Sequence, residues 1–163
     1  MVADTEKLKV ILVPMEENDL ELALAWRNDR EVMQYLPAAP LVLDWETHWA
    51  WWCTHGRTQQ DRRDYIITVQ SRSALTVYNL FRRVGVVHYR GDTGEIGLII
   101  GEKTLWGQGV GKRALKSLLG VLVEDGITTC WAVIHPMNER SKRLFEGCGF
   151  VQGGTGRLGQ LRY

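Results

Sequence analysis

Ile96-Gly97-Leu98-Ile99-Ile100, followed closely by Trp106-Gly107-Gln108-Gly109-Val110-Gly111-Lys112-Arg113-Ala114-Leu115, is the stretch that decides the fold. The first run is apolar and rich in isoleucine, which predicts a buried strand. Beyond the glycines, Ala114, Leu115, Leu118, Leu119, Leu122 and Val123 recur at intervals of three and four, the period of one helix face. Gly107, Gly109 and Gly111 therefore mark a turn between that strand and a helix opening at Val110. The first N–H groups of a helix have no partner within it, and the aligned peptide dipoles add partial positive charge there. Glycines let such backbone approach an anion with no Cβ in the way. Lys112 and Arg113 fall in the first helical turn, where cations oppose the dipole, and a bound anion accounts for them. A phosphate cradle and a plain tight turn are the two readings of this segment.

The position of the turn along the chain narrows the first reading. A Rossmann turn follows the first strand and is answered by an acid about 20 residues later. A Walker A loop ends in Gly-Lys followed by Ser or Thr. Here the turn comes late and Lys112 precedes Arg113, so neither pattern fits. Upstream, Leu8 to Val13 predicts a first strand stopped by Pro14. Leu20, Ala23, Leu24 and Arg27 predict a helix capped by Asn18 or Asp19, and a short second helix is expected from Arg30 to Leu36. Asp44 is expected to cap a helix over Trp45 to His55 that Gly56 closes. Strands are expected over Arg62 to Gln70 and Leu75 to Tyr89, with Ser71-Arg72-Ser73 as the turn between them. Gly91-Asp92-Thr93-Gly94 predicts a tight turn into Ile96. Downstream, Gly126 ends the long helix, Thr128 to Ile134 reads as a strand, and Asn138 to Glu146 reads as a helix released by Gly147 and Gly149. A last short strand is expected at Leu161 to Tyr163. The order β-α-α-β-β-β-α-β-α-β, with no repeat or linker, predicts one mixed α/β domain over residues 1–163.

The 163 residues suffice for one core. Apolar residues make up 45% and charged residues 24%, as in an ordinary globular chain. A net charge of +1 gives no global electrostatic basis for binding nucleic acid or an anionic membrane. Val10 to Val13 is too short an apolar run for a membrane span or a signal peptide. Cys53, Cys130 and Cys148 are odd in number and lack metal-ligand spacing, which predicts reduced thiols, a cytoplasmic setting and no metal.

Leu105 to Leu115 resembles the acyl-CoA-binding motif of the GNAT superfamily of N-acetyltransferases: Gln or Arg, two residues, Gly, one residue, then Gly or Ala. His135 to Phe150 resembles that superfamily's second motif, an Asn-led helix ending in Gly-Phe, here Asn138 and Gly149-Phe150. Trp26-Arg27-Asn28-Asp29 with Glu31-Val32 is similar to the branch that holds ribosomal-protein N-terminal and amino-sugar acetyltransferases. The resemblance implies a central, mostly antiparallel twisted sheet flanked by helices, with a splayed strand pair at the CoA site. It implies acetyl-CoA as co-substrate, contacted by Leu98, Ile99, Ile100, by Trp106 through Arg113, and by Asn138, Ser141, Arg143 and Phe145. Two departures stand out. Trp106 occupies the position of the usual Gln or Arg, which removes a side chain from the loop and leaves its backbone donors. Phe145 stands where many members carry a tyrosine that protonates the departing thiolate, and phenylalanine has no proton to give.

An amine attacking a thioester passes through an oxyanion, which fixed backbone N–H donors stabilise. The resemblance places that donor on the strand before the glycine turn, at Leu98 to Ile100, with Ile99 favoured. The amine must lose a proton, and Glu95 is the first candidate base because its side chain shares a face with Gly97 and Ile99. His88 is second, with a satisfied core histidine as its plainer role. Ser141, on one helical face with Asn138 and Phe145, is the candidate for the thiolate's proton. On the acceptor side, Trp26, Arg27, Asn28, Tyr35, Trp52 and His88 are the expected contacts. The Trp45/Trp49/Trp52 stripe reads as core before it reads as an aromatic platform. Arg62-Arg63 and Arg82-Arg83 read as solvated strand ends before contacts to an anionic acceptor. The resulting expectation is acetyl transfer from acetyl-CoA to a primary amine by a monomer or homodimer, with a non-catalytic CoA sensor on the same fold as the alternative.

Overall fold

The computed structural model describes residues 8–36, 42–56, 62–72, 79–155 and 161–163. Four antiparallel strands form the main sheet in the order β1 (Lys9–Pro14), β2 (Arg62–Arg72), β3 (Asn79–Arg90) and β4 (Glu95–Ile100). Gly91 to Gly94 makes the expected tight turn between β3 and β4. A second, three-stranded sheet has the order β5 (Val133–Ile134), β7 (Leu161–Arg162), β6 (Gly154–Thr155). The strand expected over Thr128 to Ile134 is shorter than its apolar run: only Val133–Ile134 pairs in a ladder, and Trp131 makes a single parallel bridge to Glu95. The turn at Ser73 and the strand start at Leu75 lie outside the described residues, while Ser71 and Arg72 continue β2.

Helices cover both faces of the main sheet. α3 (Val110–Glu124) buries Val110, Ala114, Leu115, Leu118 and Leu122 against Ile67, Val69, Val87, Tyr89 and Ile96. Each of these large side chains contributes about 1.5–3 kcal/mol on removal from water. α1 (Leu20–Asn28) and α2 (Trp45–Trp51) cover the opposite face, where Leu20, Ala23, Met15, Trp52 and Ile66 form a second cluster. Asp44 caps α2 as expected, accepting from Thr47 N–H at 2.7 Å. A π-helical turn, Trp52–Gly56, prolongs α2, and Gly56 is there because a Cβ would lie 2.0 Å from the Trp52 ring. Asp19 does not cap α1. Its carboxylate turns back to accept from Glu16 N–H at 2.9 Å and to pair with Arg83 at 2.6 Å.

The helix expected from Arg30 to Leu36 is a series of turns. Asp29 Oδ1 accepts from the N–H groups of Glu31 and Val32, at 2.9 and 3.2 Å, and this local bonding competes with helix propagation. Lys103 then bridges Asp29 and Glu31, each at 3.0 Å, and ties this segment to the chain just after β4. α4 (Glu139–Glu146) is capped by Asn138, whose Oδ1 accepts from Ser141 N–H at 3.1 Å.

Candidate active site

β4 and the chain entering β5 start as neighbours and then part. Ile96 N–H donates to the Trp131 carbonyl at 2.8 Å, and Trp131 N–H donates to the Gly94 carbonyl at 3.0 Å. Beyond that point β5 pairs with β7 and leaves β4 open. Successive N–H groups of a strand point to alternate sides. Ile96 N–H faces Trp131 and Gly101 N–H faces Val84 of β3. The alternation therefore turns the N–H groups of Leu98 and Ile100 into the gap and those of Gly97 and Ile99 into the β3 ladder. This corrects the expectation for Ile99: its N–H is committed to the sheet, and Leu98 and Ile100 hold the open positions.

The gap widens into a cleft of about 510 Å³ walled by β4, the glycine turn, the start of α3, α4 and the turns at Glu31 to Leu36. Gly109 sits at the N-cap of α3 with φ +75°, and Gly107 has φ +77°, a left-handed conformation that other residues rarely adopt. Arg113 N–H makes the helix's first bond, to Gly109, so the N–H groups of Val110, Gly111 and Lys112 precede the helical ladder. A Cβ on Gly111 would lie 2.6 Å from Leu144 Cδ1, so glycine here lets α3 and α4 close together. Lys112, Arg140 and Arg143 add positive charge to the same walls. Free donors, close backbone approach and cations together fit a ligand with a pyrophosphate and a long arm.

On the other side of β4, Glu95 and His88 line the cleft. His88 pairs across strands with Gly97, and a Cβ on Gly97 would sit 2.2 Å from the imidazole Cε1. Gly97 thus makes room for the ring. Burial lowers the His88 pKa from 6.5 to about 3, with the charges of Arg62, Arg90 and Arg27 acting in the same direction, so the imidazole is neutral. Glu95 Oε2 lies 3.7 Å from Arg90 Nη1.

Residues 9–151 match the sequence profile of the acetyltransferase (GNAT) domain. The chain belongs to the GNAT acetyltransferase family. It is 33% identical over 161 residues to an uncharacterised protein of Methanocaldococcus jannaschii, covering 97% of this chain and 31% of that protein, so it spans about a third of its relative's length. A solved domain from Methanocaldococcus jannaschii superposes with a TM-score of 0.85 at 33% identity, covering 96% of this chain and 97% of that one. Spermidine N-acetyltransferase from Vibrio cholerae, in complex with CoA and spermine, has the same fold, with a TM-score of 0.73, 17% identity, and coverage of 94% and 91%. An aminoglycoside acetyltransferase in complex with coenzyme A and kanamycin gives 0.71 at 18%, with coverage of 95% and 94%.

Within this GNAT domain the structure brings most of the expected CoA contacts together. Leu98, Ile99, Ile100, Trp106, Gly107, Gly109, Val110, Gly111, Lys112, Asn138, Ser141, Arg143 and Phe145 all line the cleft. Gln108 and Arg113 do not: the Gln108 amide donates to the Thr104 carbonyl at 2.7 Å, and Arg113 donates to the Gln108 carbonyl at 3.3 Å. Trp106 has its own task, with its indole N–H donating to the Ile100 carbonyl at 2.8 Å and Arg140 lying 4.1 Å above its ring. Of the expected acceptor contacts, Tyr35 and His88 reach the cleft. Trp26 and Trp52 are core residues, Trp26 packing onto Gly101 and Trp52 onto Gly56. Asn28 is a clamp that exchanges hydrogen bonds with the Leu43 backbone at 2.8 and 2.9 Å. Arg27 lies outside the lining. His135, whose ring sits 5.5 Å from that of Tyr35, also lines the cleft, and the sequence reading missed it. Its only signal was a histidine ending a strand beside the Asn-led helix.

Proposed function

We propose that residues 1–163 act as one cytoplasmic acetyl-CoA-dependent N-acetyltransferase unit whose acceptor is a primary amine, on an amino-sugar nucleotide, another small molecule or a protein N-terminus. The observation that carries this reading is the open Leu98 N–H beside a glycine turn at a helix start. Acetyl-CoA, when bound, supplies a thioester carbonyl that an amine can attack. The N–H groups of Val110, Gly111 and Lys112, with Lys112 and Arg143, hold its phosphates, and Asn138 faces its arm. Leu98 N–H donates to the negative charge that develops on the carbonyl oxygen; a fixed donor of this kind is worth about 3–4 kcal/mol of barrier. The Glu95 carboxylate accepts the amine's proton. Phe145 carries no acidic hydrogen, so the Ser141 hydroxyl is the protic group that α4 offers to the departing sulfur. The acetyltransferase neighbours favour this enzymatic reading over a CoA sensor.

The test is release of CoA thiol from acetyl-CoA in the presence of a panel of primary amines, set beside calorimetry with acetyl-CoA alone. Amine-dependent thiol release is expected. Failure to bind acetyl-CoA at millimolar ligand sinks the reading.

A further inference from the structure

His88 lines the cleft with a polar ring that the rest of the protein leaves unused. The strand register sets His88 opposite Gly97 and Arg90 opposite Glu95, and alternate residues of a strand share a face, so these four form one patch of the sheet. Diagonal neighbours in such a patch stand about 7–8 Å apart, so the side chains of His88 and Glu95 can converge on one atom held between them. The imidazole lies across Gly97: a Cβ there would be 2.2 Å from Cε1, 2.6 Å from Nε2 and 3.0 Å from Nδ1. Gly97 is not among the glycines with positive φ, so it is the space for the ring that calls for glycine. The next residue is Leu98, whose N–H opens into the gap.

Two properties fix what this ring can do. It is neutral, because burial disfavours the imidazolium and the charges of Arg62, Arg90 and Arg27 add to that. Asp64, opposite His88 on β2, is engaged with Arg62 at 2.8 and 2.9 Å. A neutral imidazole carries one N–H and one bare nitrogen that accepts. Among the described residues neither nitrogen of His88 has a hydrogen-bond partner, and neither is sealed in the interior as Nε2 of His48 is. The cleft thus holds a neutral acceptor on the same face as the Glu95 carboxylate.

We propose that His88 orients the acceptor amine, its bare nitrogen accepting one N–H while Glu95 accepts the other, so that the site selects primary over N-alkylated amines. This role rests on the acetyltransferase reading. With both N–H groups held, the amine's lone pair is left to form the bond to the thioester carbonyl carbon. The C–S bond then breaks with its electron pair on sulfur, one amine proton passes to Glu95, and the other stays on the amide nitrogen, bonded to His88. An N-methyl group in place of that second N–H leaves the ring nitrogen unpaired and crowds the imidazole.

Thiol release with two matched pairs tests it: ethanolamine against N-methylethanolamine, and putrescine against N-methylputrescine offered at its secondary nitrogen through N,N′-dimethylputrescine. The primary member is expected to have a kcat/KM at least about tenfold higher. His88→Leu should bring that ratio close to one, mainly through a lower kcat for the primary amine, with acetyl-CoA affinity by calorimetry unchanged within about twofold. His88→Asn or His88→Gln, each with an amide oxygen that can accept, should restore part of the ratio. Equal use of both members of a pair, or a ratio unmoved in His88→Leu, overturns the role and leaves acetyl transfer standing. If no amine releases thiol, nitrogen NMR of the CoA-saturated protein with labelled histidines decides the site alone. Methylamine should shift the bare nitrogen of the one imidazole whose signal is missing in His88→Asn, and tetramethylammonium, which has no N–H, should not. No shift with methylamine, or the same shift with both, overturns it.

Discussion

The two sides of β4 solve their binding problems with different materials. On the α3 side the cleft presents backbone: Leu98 N–H, the glycine turn and the N–H groups that open the helix. On the α1 and α2 side the cleft presents side chains, Glu95, His88 and Tyr35, gathered from segments far apart in the chain. A backbone surface is generic, cannot drift without breaking the fold, and suits a co-substrate shared by many relatives. A side-chain surface can be rewritten residue by residue without disturbing the fold. The lesson is that one strand separates a wall built from backbone from a wall built from side chains.

The largest expected effect divides the halves by chemistry. Glu95→Gln should lower kcat by about 10²–10⁴, the span of a general base, while leaving acetyl-CoA affinity by calorimetry within about twofold. A rate that stays put removes Glu95 as the base. Gly111→Asp attacks the other half. It puts a side chain where an added Cβ would stand 2.6 Å from Leu144 and a negative charge beside the phosphate donors, so acetyl-CoA should bind about a hundredfold more weakly, ~3 kcal/mol. Circular dichroism must show the protein still folded for that loss to count.

A smaller effect concerns stability and belongs to His88. Its folded pKa of about 3 lies below the ordinary 6.5, so between those values the unfolded chain binds a proton that the folded chain does not. Stability therefore falls as pH drops from about 6.5 towards 3, by up to about 1.4 kcal/mol per pH unit from this residue. Part of that slope is lost to solvent reaching the ring in the cleft. Urea midpoints at pH 7, 5 and 4 should show a shallower fall in His88→Gln than in the parent, and parallel curves would refute the assignment. Smallest is Trp106→Phe, which removes the indole N–H bond to Ile100 and should weaken acetyl-CoA binding by about 1 kcal/mol, a few-fold. An unchanged affinity would make Trp106 a packing residue only.

The same division explains what could be read in advance. The glycine turn, α3, the Asn138 cap and the Phe145 position were legible because each is carried by contiguous residues with a fixed period or a special backbone angle. The open donor was placed one residue off, at Ile99, since which way a given N–H faces depends on β3 and Trp131, partners distant in sequence. Trp26, Asn28 and Trp52 looked like acceptor contacts and serve the core or a loop clamp, because an aromatic or an amide at helical spacing is the same on paper whether it faces inward or into a cleft. The expected helix at Arg30 to Leu36 failed for a local reason, the Asp29 carboxylate capturing two N–H groups that a helix needs.

Among the described residues β4 is also the last strand of its sheet, and an unpaired strand edge invites another chain to add to it. Here both ends of the open stretch are stoppered. Trp131 takes the Ile96 N–H at one end, and the Trp106 indole takes the Ile100 carbonyl at the other. What lies between is too short to template a β-strand. The two tryptophans thus let the protein keep a reactive edge open for a small molecule while closing it to aggregation.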